Sequence, residues 1–464
     1  MRMPSKEMTP SQLAAVSTFI SKEMERTKVP GLSISIFSKD KILFTKGFGQ
    51  RSLEFNLFSN PDTLYGVGSV TKSFTGLAIM KLVQDGKLEL SDKITEYLPE
   101  LKLDSNNAKV TISHLLTHTS GLPALNIAEV HLMKGIGKDT TFIPVEDYDD
   151  FVNLYVGAKD ERTWGIGKLF MYSNEGFTLL GKIVEKVSKK TYQDFVKENI
   201  LLPLGMKRST FSSNQVVKDP NHGQCYYQQD PVKPEPVNYP DHPLAYAPGG
   251  LISSVVELSH YLRMWINEGT FGQSKILEKD IVEMALGPVS HQTSTIAKTN
   301  AYYNTGWMIK NNFFGHKMVS HSGSTDVSSA NLSFLKDLGV GVAICSNSGL
   351  APTWQIAEFA LTTLIGKDPA QELDSYIIRD LTSKFEGEYR DYRSYTRATI
   401  REIDPGYLVL KFESDEMSTE FPLFIENRKM FTMMSGRRIE VPFVIAESGV
   451  KELVLERHRF VKVG

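Results

Sequence analysis

Cysteine is nearly missing from this 464-residue chain, and the two present, Cys225 and Cys345, exclude a disulfide framework. Their separation fits no metal or redox spacing and leaves room for one bridge at most. An excess of either charge sign is lacking as well. Against 54 Asp and Glu stand 52 Lys and Arg, for a formal net charge of −2. Such a balance gives no electrostatic reason to expect nucleic acid or an anionic membrane as a partner. Long apolar runs are absent, so no segment reaches the length of a membrane span. The opening Met1-Arg2-Met3-Pro4-Ser5-Lys6-Glu7 lacks the apolar centre of a signal peptide, and the expected location is cytoplasmic.

What is there is an ordinary globular composition, 41% hydrophobic and 23% charged, at a length that fits two domains. Thr9-Pro10-Ser11-Gln12 reads as a helix start, with Thr9 as N-cap and Pro10 in first position, and the helix should reach about Lys28 before Pro30-Gly31. Residues 32–37 alternate like a strand, and residues 42–47 return as its hairpin partner. The middle is mainly helical, over Asn174 to Ser188, Tyr192 to Asn199 and Val255 to Asn267. Residues 218–248 read as an ordered irregular loop, and residues 124–165 as a long loop over the active site. Strand character returns over residues 306–309, 317–320, 329–335 and 339–344, and a helix from about Pro352 to Ile365 follows. Strands at both ends of this region with helices between them give an α+β layout with one antiparallel sheet.

After Gly366-Lys367-Asp368-Pro369 short alternating strands succeed one another, over residues 398–403, 407–413, 420–425, 430–434, 439–446 and 452–460. Turns such as Asp404-Pro405-Gly406 and Ser448-Gly449 punctuate them, as in a small all-β barrel. The expected domains are 1–368 and 369–464.

The chemistry concentrates at Ser69-Val70-Thr71-Lys72, which follows Gly66-Val67-Gly68. Residues at i and i+3 share a helix face, so hydroxyl and amine can meet. A serine hydroxyl needs an adjacent base, and a lysine kept partly deprotonated by burial can serve. The segment from Val70 to Asp85 is apolar on nearly every face, the mark of an interior helix, and Gly86 ends it. Tyr172-Ser173-Asn174 lies just ahead of a helix. His321-Ser322-Gly323-Ser324 follows a strand-like run. A phenol beside a lysine ammonium can ionise below its usual pKa and act as a base. The Asn174 amide can orient the lysine or the substrate. The N–H groups of Ser69, at a helix start, and Ser324, on a strand edge, suit an oxyanion hole.

His114 and His118, four apart on a predicted helix, have a zinc-compatible spacing, but Leu115 stands where H-E-x-x-H needs Glu. Gly176 to Lys182 begins like a phosphate-binding loop, but Ile183 replaces its Ser or Thr. The G-x-S-x-G elbow of α/β-hydrolases does not occur around Ser69. No metal and no cofactor are implied.

The ordered set S-x-x-K, Y-S-N and H-S-G resembles the serine β-lactamase and penicillin-binding-protein superfamily, on its class C, D-aminopeptidase and esterase branch. Residues 110–123, Pro203-Leu204-Gly205-Met206 and Pro248-Gly249-Gly250-Leu251-Ile252-Ser253-Ser254 carry the same resemblance. It implies a β-lactamase-like antiparallel sheet flanked by a helical region. It also implies Ser69 as nucleophile, Lys72 as its activating partner, and Tyr172 as general base and then proton donor. Asn174 and Gly323 fall to substrate binding. His321 takes the place often held by Lys, as in D-aminopeptidases, related peptidases and some esterases. Phe385-Glu386-Gly387-Glu388-Tyr389 looks like the opening of the lipocalin-like tail of some family members. Such a tail would pack against the catalytic region, shape its cleft or join copies into a homo-oligomer.

The implied activity is a serine hydrolase working through an acyl-enzyme. Its partner would be a small peptide, with a D-residue preference, or a short-chain ester. A rival from another class is a penicillin-binding or scaffold protein of reduced catalysis.

Overall fold

The computed structural model describes residues 7–103, 109–138, 145–158, 165–229, 233–288, 301–392, 394–404, 407–413, 418–426, 428–434, 436–445, 451–455 and 458–463. The chain divides into two compact units, Met1–Leu364 and Ile365–Gly464.

The first unit is built on one antiparallel sheet. Its strands run in the order Ala301–Asn304, Trp307–Phe313, His316–Ser324, Ser329–Leu335, Val340–Ser346, Gly31–Ser38, Ile42–Ser52 and Leu57–Phe58. The sheet therefore joins the N-terminal hairpin to the strands after residue 300, through the pairing of Leu32 with Ser346 and Ile36 with Val342. Gly31–Ser38 is interior along nearly its whole length, as a central strand requires, whereas Ile42–Ser52 is mostly exposed or half-buried.

Helices Pro10–Thr27, Val255–Ile266 and Thr353–Leu364 pack around this sheet. The first starts as its sequence predicts. Thr9 and Gln12 form a reciprocal capping box, and Pro10 occupies a position whose N–H has no helical acceptor. Phe19 stacks on Phe359, ring centroids 4.2 Å apart, and so ties that helix to Thr353–Leu364.

Helices Thr71–Gln84, Asn174–Ser188 and Pro243–Gly249 form the core of the helical region. Ten consecutive residues of the first, Thr71 to Met80, are buried, so it is apolar because it has no solvent face. Phe74 stacks on Tyr261 at 3.8 Å between centroids, a burial worth roughly 1.5–3 kcal/mol for the phenylalanine. Gly86, at φ +65°, ends the helix in a Schellman motif: its N–H donates to Val83 O, and that of Lys87 to Leu82 O.

Three expectations are corrected. Tyr192 to Asn199 is not one regular helix, since Tyr192–Val196 passes into a π-helical turn, Lys197–Leu201. Residues 124–165 contain helices Ile127–Gly135 and Tyr148–Gly157, with 139–144 and 159–164 outside the described residues. Residues 218–248 include short strands Cys225–Tyr227 and Glu235–Val237, and residues 230–232 lie outside the described residues. Cys225 and Cys345 are both buried and unbridged.

The second unit begins with two helices that the sequence does not announce, Pro369–Glu372 and Asp374–Phe385, and then forms an antiparallel sheet. Where one strand is expected over 439–446, Arg437–Glu440 and Phe443–Ile445 flank a bend at Val441-Pro442. The Val441 N–H donates to Met430 O at 2.8 Å, and the Val454 N–H to Pro442 O at 3.0 Å. The bent strand thus pairs with a neighbour on each side, and the sheet curls round on itself as a barrel does. Phe385, Tyr389, Ile400, Leu410, Leu453 and Phe460 pack together as its core. The expected strand over 452–460 is divided into Lys451–Leu455 and His458–Val463. The predicted turn residues Pro405-Gly406 and Ser448-Gly449 lie outside the described residues.

Candidate active site

Ser69 sits in a 3-10 turn, Gly68–Val70, that runs directly into the Thr71–Gln84 helix. Lys72 follows one turn later, fully buried, with its Nζ 3.1 Å from Ser69 Oγ. Two further groups surround that nitrogen: Asn174 Oδ1, and the carbonyl of Pro248 at 2.8 Å. Burial pulls the Lys72 amine down from 10.5 to about 7, against the opposing charges of Glu129 and Glu175.

These partners dictate how the neutral amine must sit. A neutral amine carries two hydrogens and one lone pair. Asn174 Oδ1 and Pro248 O can only accept, so they take both hydrogens. The lone pair is left for the one partner able to donate, the Ser69 hydroxyl. Asn174 is held in this orientation because its Nδ2 donates to Glu129.

The Tyr172-Ser173-Asn174 turn is set by a cap. Ser173 is the N-cap of the Asn174–Ser188 helix, its Oγ accepting the Gly176 N–H at 3.2 Å, and Asn174 is the first helical residue. Tyr172 is 39% exposed, and Ser69 hydrogen-bonds its hydroxyl. Although part of its ring faces the open cleft, the protein packed around the residue withholds water from the phenolate and raises its pKa, and Glu129 adds to the rise. The expected depression by Lys72 is not found. The ammonium position is over the ring face, 4.7 Å from its centroid. Of the two residues, the lysine is the one brought near neutrality.

His321, Gly323 and Ser324 come from the end of the His316–Ser324 strand. Its ladder with Trp307–Phe313 stops at Met308 opposite Ser320, whereas its ladder with Ser329–Leu335 continues to Ser324 opposite Ser329. Among the described residues the strand therefore has a local edge beyond Ser320, and the Ser69 turn lies against this segment. A Cβ on Gly323 would lie 2.0 Å from Val67 O and 2.7 Å from Ser69 N. One on Gly68, at φ +53°, would lie 2.6 Å from Ser324 N. Only glycine allows strand and turn so close, and the Ser69 and Ser324 backbone nitrogens both lie at this contact.

His321 is buried, and its imidazole is pushed down from 6.5 to about 3 by burial and by Lys72. It is neutral at pH 7. Its Nδ1–H donates to Ser322 O at 2.5 Å, so Nε2 is the acceptor, taking the Tyr303 hydroxyl at 2.8 Å. In this arrangement His321 cannot supply the cation that a lysine would present from this position.

All seven predicted site residues thus meet: Ser69, Tyr172, Asn174, His321, Gly323 and Ser324 line one cleft of about 660 Å³, and Lys72 lies beneath it. Its walls also carry Glu129, Tyr303, Asp326 and Trp354, which sequence reasoning missed. Glu129 comes from the Ile127–Gly135 helix, inside the stretch read as loop, and Tyr303 from a four-residue strand too short to show alternation. The predicted His114–His118 helix ends at Leu116, and His118 lies beyond it at φ +55°. Residues 176–182 lie within a helix.

Residues 16–359 match the family described as Beta-lactamase, and residues 369–461 match the Pab87 octamerisation domain. The chain belongs to the beta-lactamase family. It is 31% identical over 340 residues to Protein flp of Staphylococcus aureus (strain MW2), a match spanning 72% of this chain and 62% of that protein. Beta-lactamase-like protein 2 of Dictyostelium discoideum is 27% identical over 292 residues, 59% of this chain and 48% of that protein. The structure of the octameric penicillin-binding protein homologue from Pyrococcus abyssi superposes with a TM-score of 0.88 at 34% identity, covering 97% of this chain and all of that one. Family and fold are those of the beta-lactamase-fold serine hydrolases, with a C-terminal β domain. Among the described residues no helix is long and apolar enough to cross a membrane.

Proposed function

We propose that this chain hydrolyses small peptides through an acyl-enzyme on Ser69, with Lys72 as the base. The observation that carries this reading is the environment of the Lys72 nitrogen, whose two acceptor-only partners reserve its lone pair for Ser69. Ser69 Oγ attacks the carbonyl carbon as its proton passes to Nζ. The Ser69 and Ser324 N–H groups hold the oxyanion. The new ammonium is stabilised by Asn174 Oδ1 and Pro248 O, and by the Tyr172 ring. Tyr172, kept protonated by burial, gives its proton to the leaving group and is recharged from Lys72. Water then attacks the acyl-enzyme by the reverse path.

The local strand edge at His321–Ser324 favours a peptide over a simple ester, because an extended main chain can pair there. The walls offer apolar surface in Leu132, Tyr246, Met308 and Trp354. The test is the initial rate on paired D- and L-aminoacyl p-nitroanilides beside p-nitrophenyl butyrate, with Ser69→Ala as blank. Anilide turnover lost in the mutant supports a peptidase, and the D/L ratio gives its stereochemical preference. Ester turnover alone makes the protein a carboxylesterase, and no turnover makes it a binding or scaffold relative.

We further propose that the chain assembles into a homo-oligomer through residues 369–464. Support comes from the match to the Pab87 octamerisation domain and from the octameric state of the Pyrococcus abyssi homologue. Light scattering of the full chain against residues 1–368 tests it.

A further inference from the structure

His118 is buried to 2% exposure beneath the cleft and is not among its lining residues. Yet it holds the segment that carries Tyr172 at two points. Its carbonyl accepts the Met171 N–H at 2.7 Å, and its ring Nδ1 accepts the Ser173 N–H at 3.1 Å. The residues on either side of Tyr172 are thus both bonded to one histidine. The ring itself supports the phenol, its centroid 4.4 Å from that of Tyr172 and 4.6 Å from that of Tyr303.

Two costs accompany this arrangement. His118 has a left-handed backbone, φ +55°, sparsely populated by residues other than glycine. Its Nε2, which carries the proton once Nδ1 accepts, is buried without a hydrogen-bond partner among the described residues. Generic core packing requires neither cost, since an aliphatic side chain could fill the space. The cost that the fold accepts matches the two bonds on the Tyr172 segment.

We infer that His118 is the positioning residue for Tyr172, fixing its hydroxyl at Ser69 through the Met171 and Ser173 N–H groups. The inference rests on the reading of Tyr172 as the proton donor of the reaction. Displacements of about 1 Å in such a group cost on the order of 100-fold in rate.

The test compares His118→Asn with His118→Gln in the full chain. Asn places its Oδ1 where Nδ1 stood, and it tolerates the left-handed backbone. Gln carries its amide one bond too far. Thermal melts confirm that each variant is folded before kinetics are read. The expected result is that H118N keeps kcat within about threefold of wild type. H118Q should lose about 100-fold in kcat with KM within twofold. Tyr172→Phe should lose at least as much, and H118Q should add nothing in that background. Equal kcat losses in H118N and H118Q, or an H118Q enzyme at wild-type kcat, would overturn the inference while leaving Y172F inactive. Should H118Q not fold, H118N alone decides, since loss of its kcat in a folded protein removes the role of the Nδ1 acceptor. Full activity in Y172F would instead overturn the reading of Tyr172 itself.

Discussion

Replacing Lys72 by Met should change how stability responds to pH, in a direction and amount set by the buried amine. The folded-state pKa is depressed to about 7, against an ordinary value of 10.5 that the unfolded chain should show. Between those values the folded state holds the amine neutral while the unfolded state binds a proton. Stability therefore rises with pH in that window by about 1.4 kcal/mol per unit. As pH falls through about 7 both states become protonated, and the slope levels off with the full penalty in place. Half-protonation at pH 7 trims the slope there, so about 2 kcal/mol should separate pH 7 from pH 9. Met removes the titration and keeps much of the volume. It also leaves Asn174 Oδ1 and Pro248 O without their donor, at a cost of about 1–3 kcal/mol each, but that cost does not vary with pH in this window. The assay is urea denaturation of wild type and K72M at pH 6, 7, 8 and 9 and one protein concentration. The difference between the two should move in favour of wild type by about 2 kcal/mol from pH 7 to 9, and hardly at all from 6 to 7. A difference constant from pH 7 to 9 would refute the claim that Lys72 is driven to neutrality by burial.

Other expectations follow from the same geometry. The acidic limb of the kcat/KM profile should fall near pH 7, from Lys72, with no inflection from His321 between pH 5 and 8, because that imidazole is already neutral; an inflection removed by His321→Gln would contradict this. Gly323→Ala should drop kcat by at least about 100-fold, because its Cβ meets Val67 O and Ser69 N and must separate the strand from the nucleophile turn; steady-state kinetics at near-normal activity would contradict the packing argument. Lys72→Ala should abolish labelling by a covalent serine probe while circular dichroism stays native. Residues 1–368 should remain soluble, and insolubility of that fragment would make the tail integral to the first unit.

The parts of the fold legible in the sequence were those fixed by local chemistry. Thr9 and Gln12 announce their helix because a capping box is a contact between near neighbours, and the Ser69–Lys72 pair is set by a single helical turn. The Asp374–Phe385 helix has a local pattern too, with Ile377, Leu381 and Phe385 four residues apart, but the short strands that follow it dominate the texture of this part of the chain. What stayed hidden depends on distant segments meeting. Glu129 reaches the site through Asn174, 45 residues away, and the Pro248 carbonyl reaches Lys72 across 176 residues, with nothing local to mark either. Sequence alone put a cation beside the Tyr172 phenol and so predicted a lowered pKa. The structure puts it over the ring, and burial then decides the sign.

The most direct test of the central claim is intact-protein mass spectrometry after brief incubation with a fluorophosphonate probe, followed by peptide mapping, on wild type and Ser69→Ala. A single adduct on Ser69, absent from the mutant and formed faster as pH rises through about 7, is the predicted result. An adduct on another residue, or none on a folded wild-type protein, would contradict it.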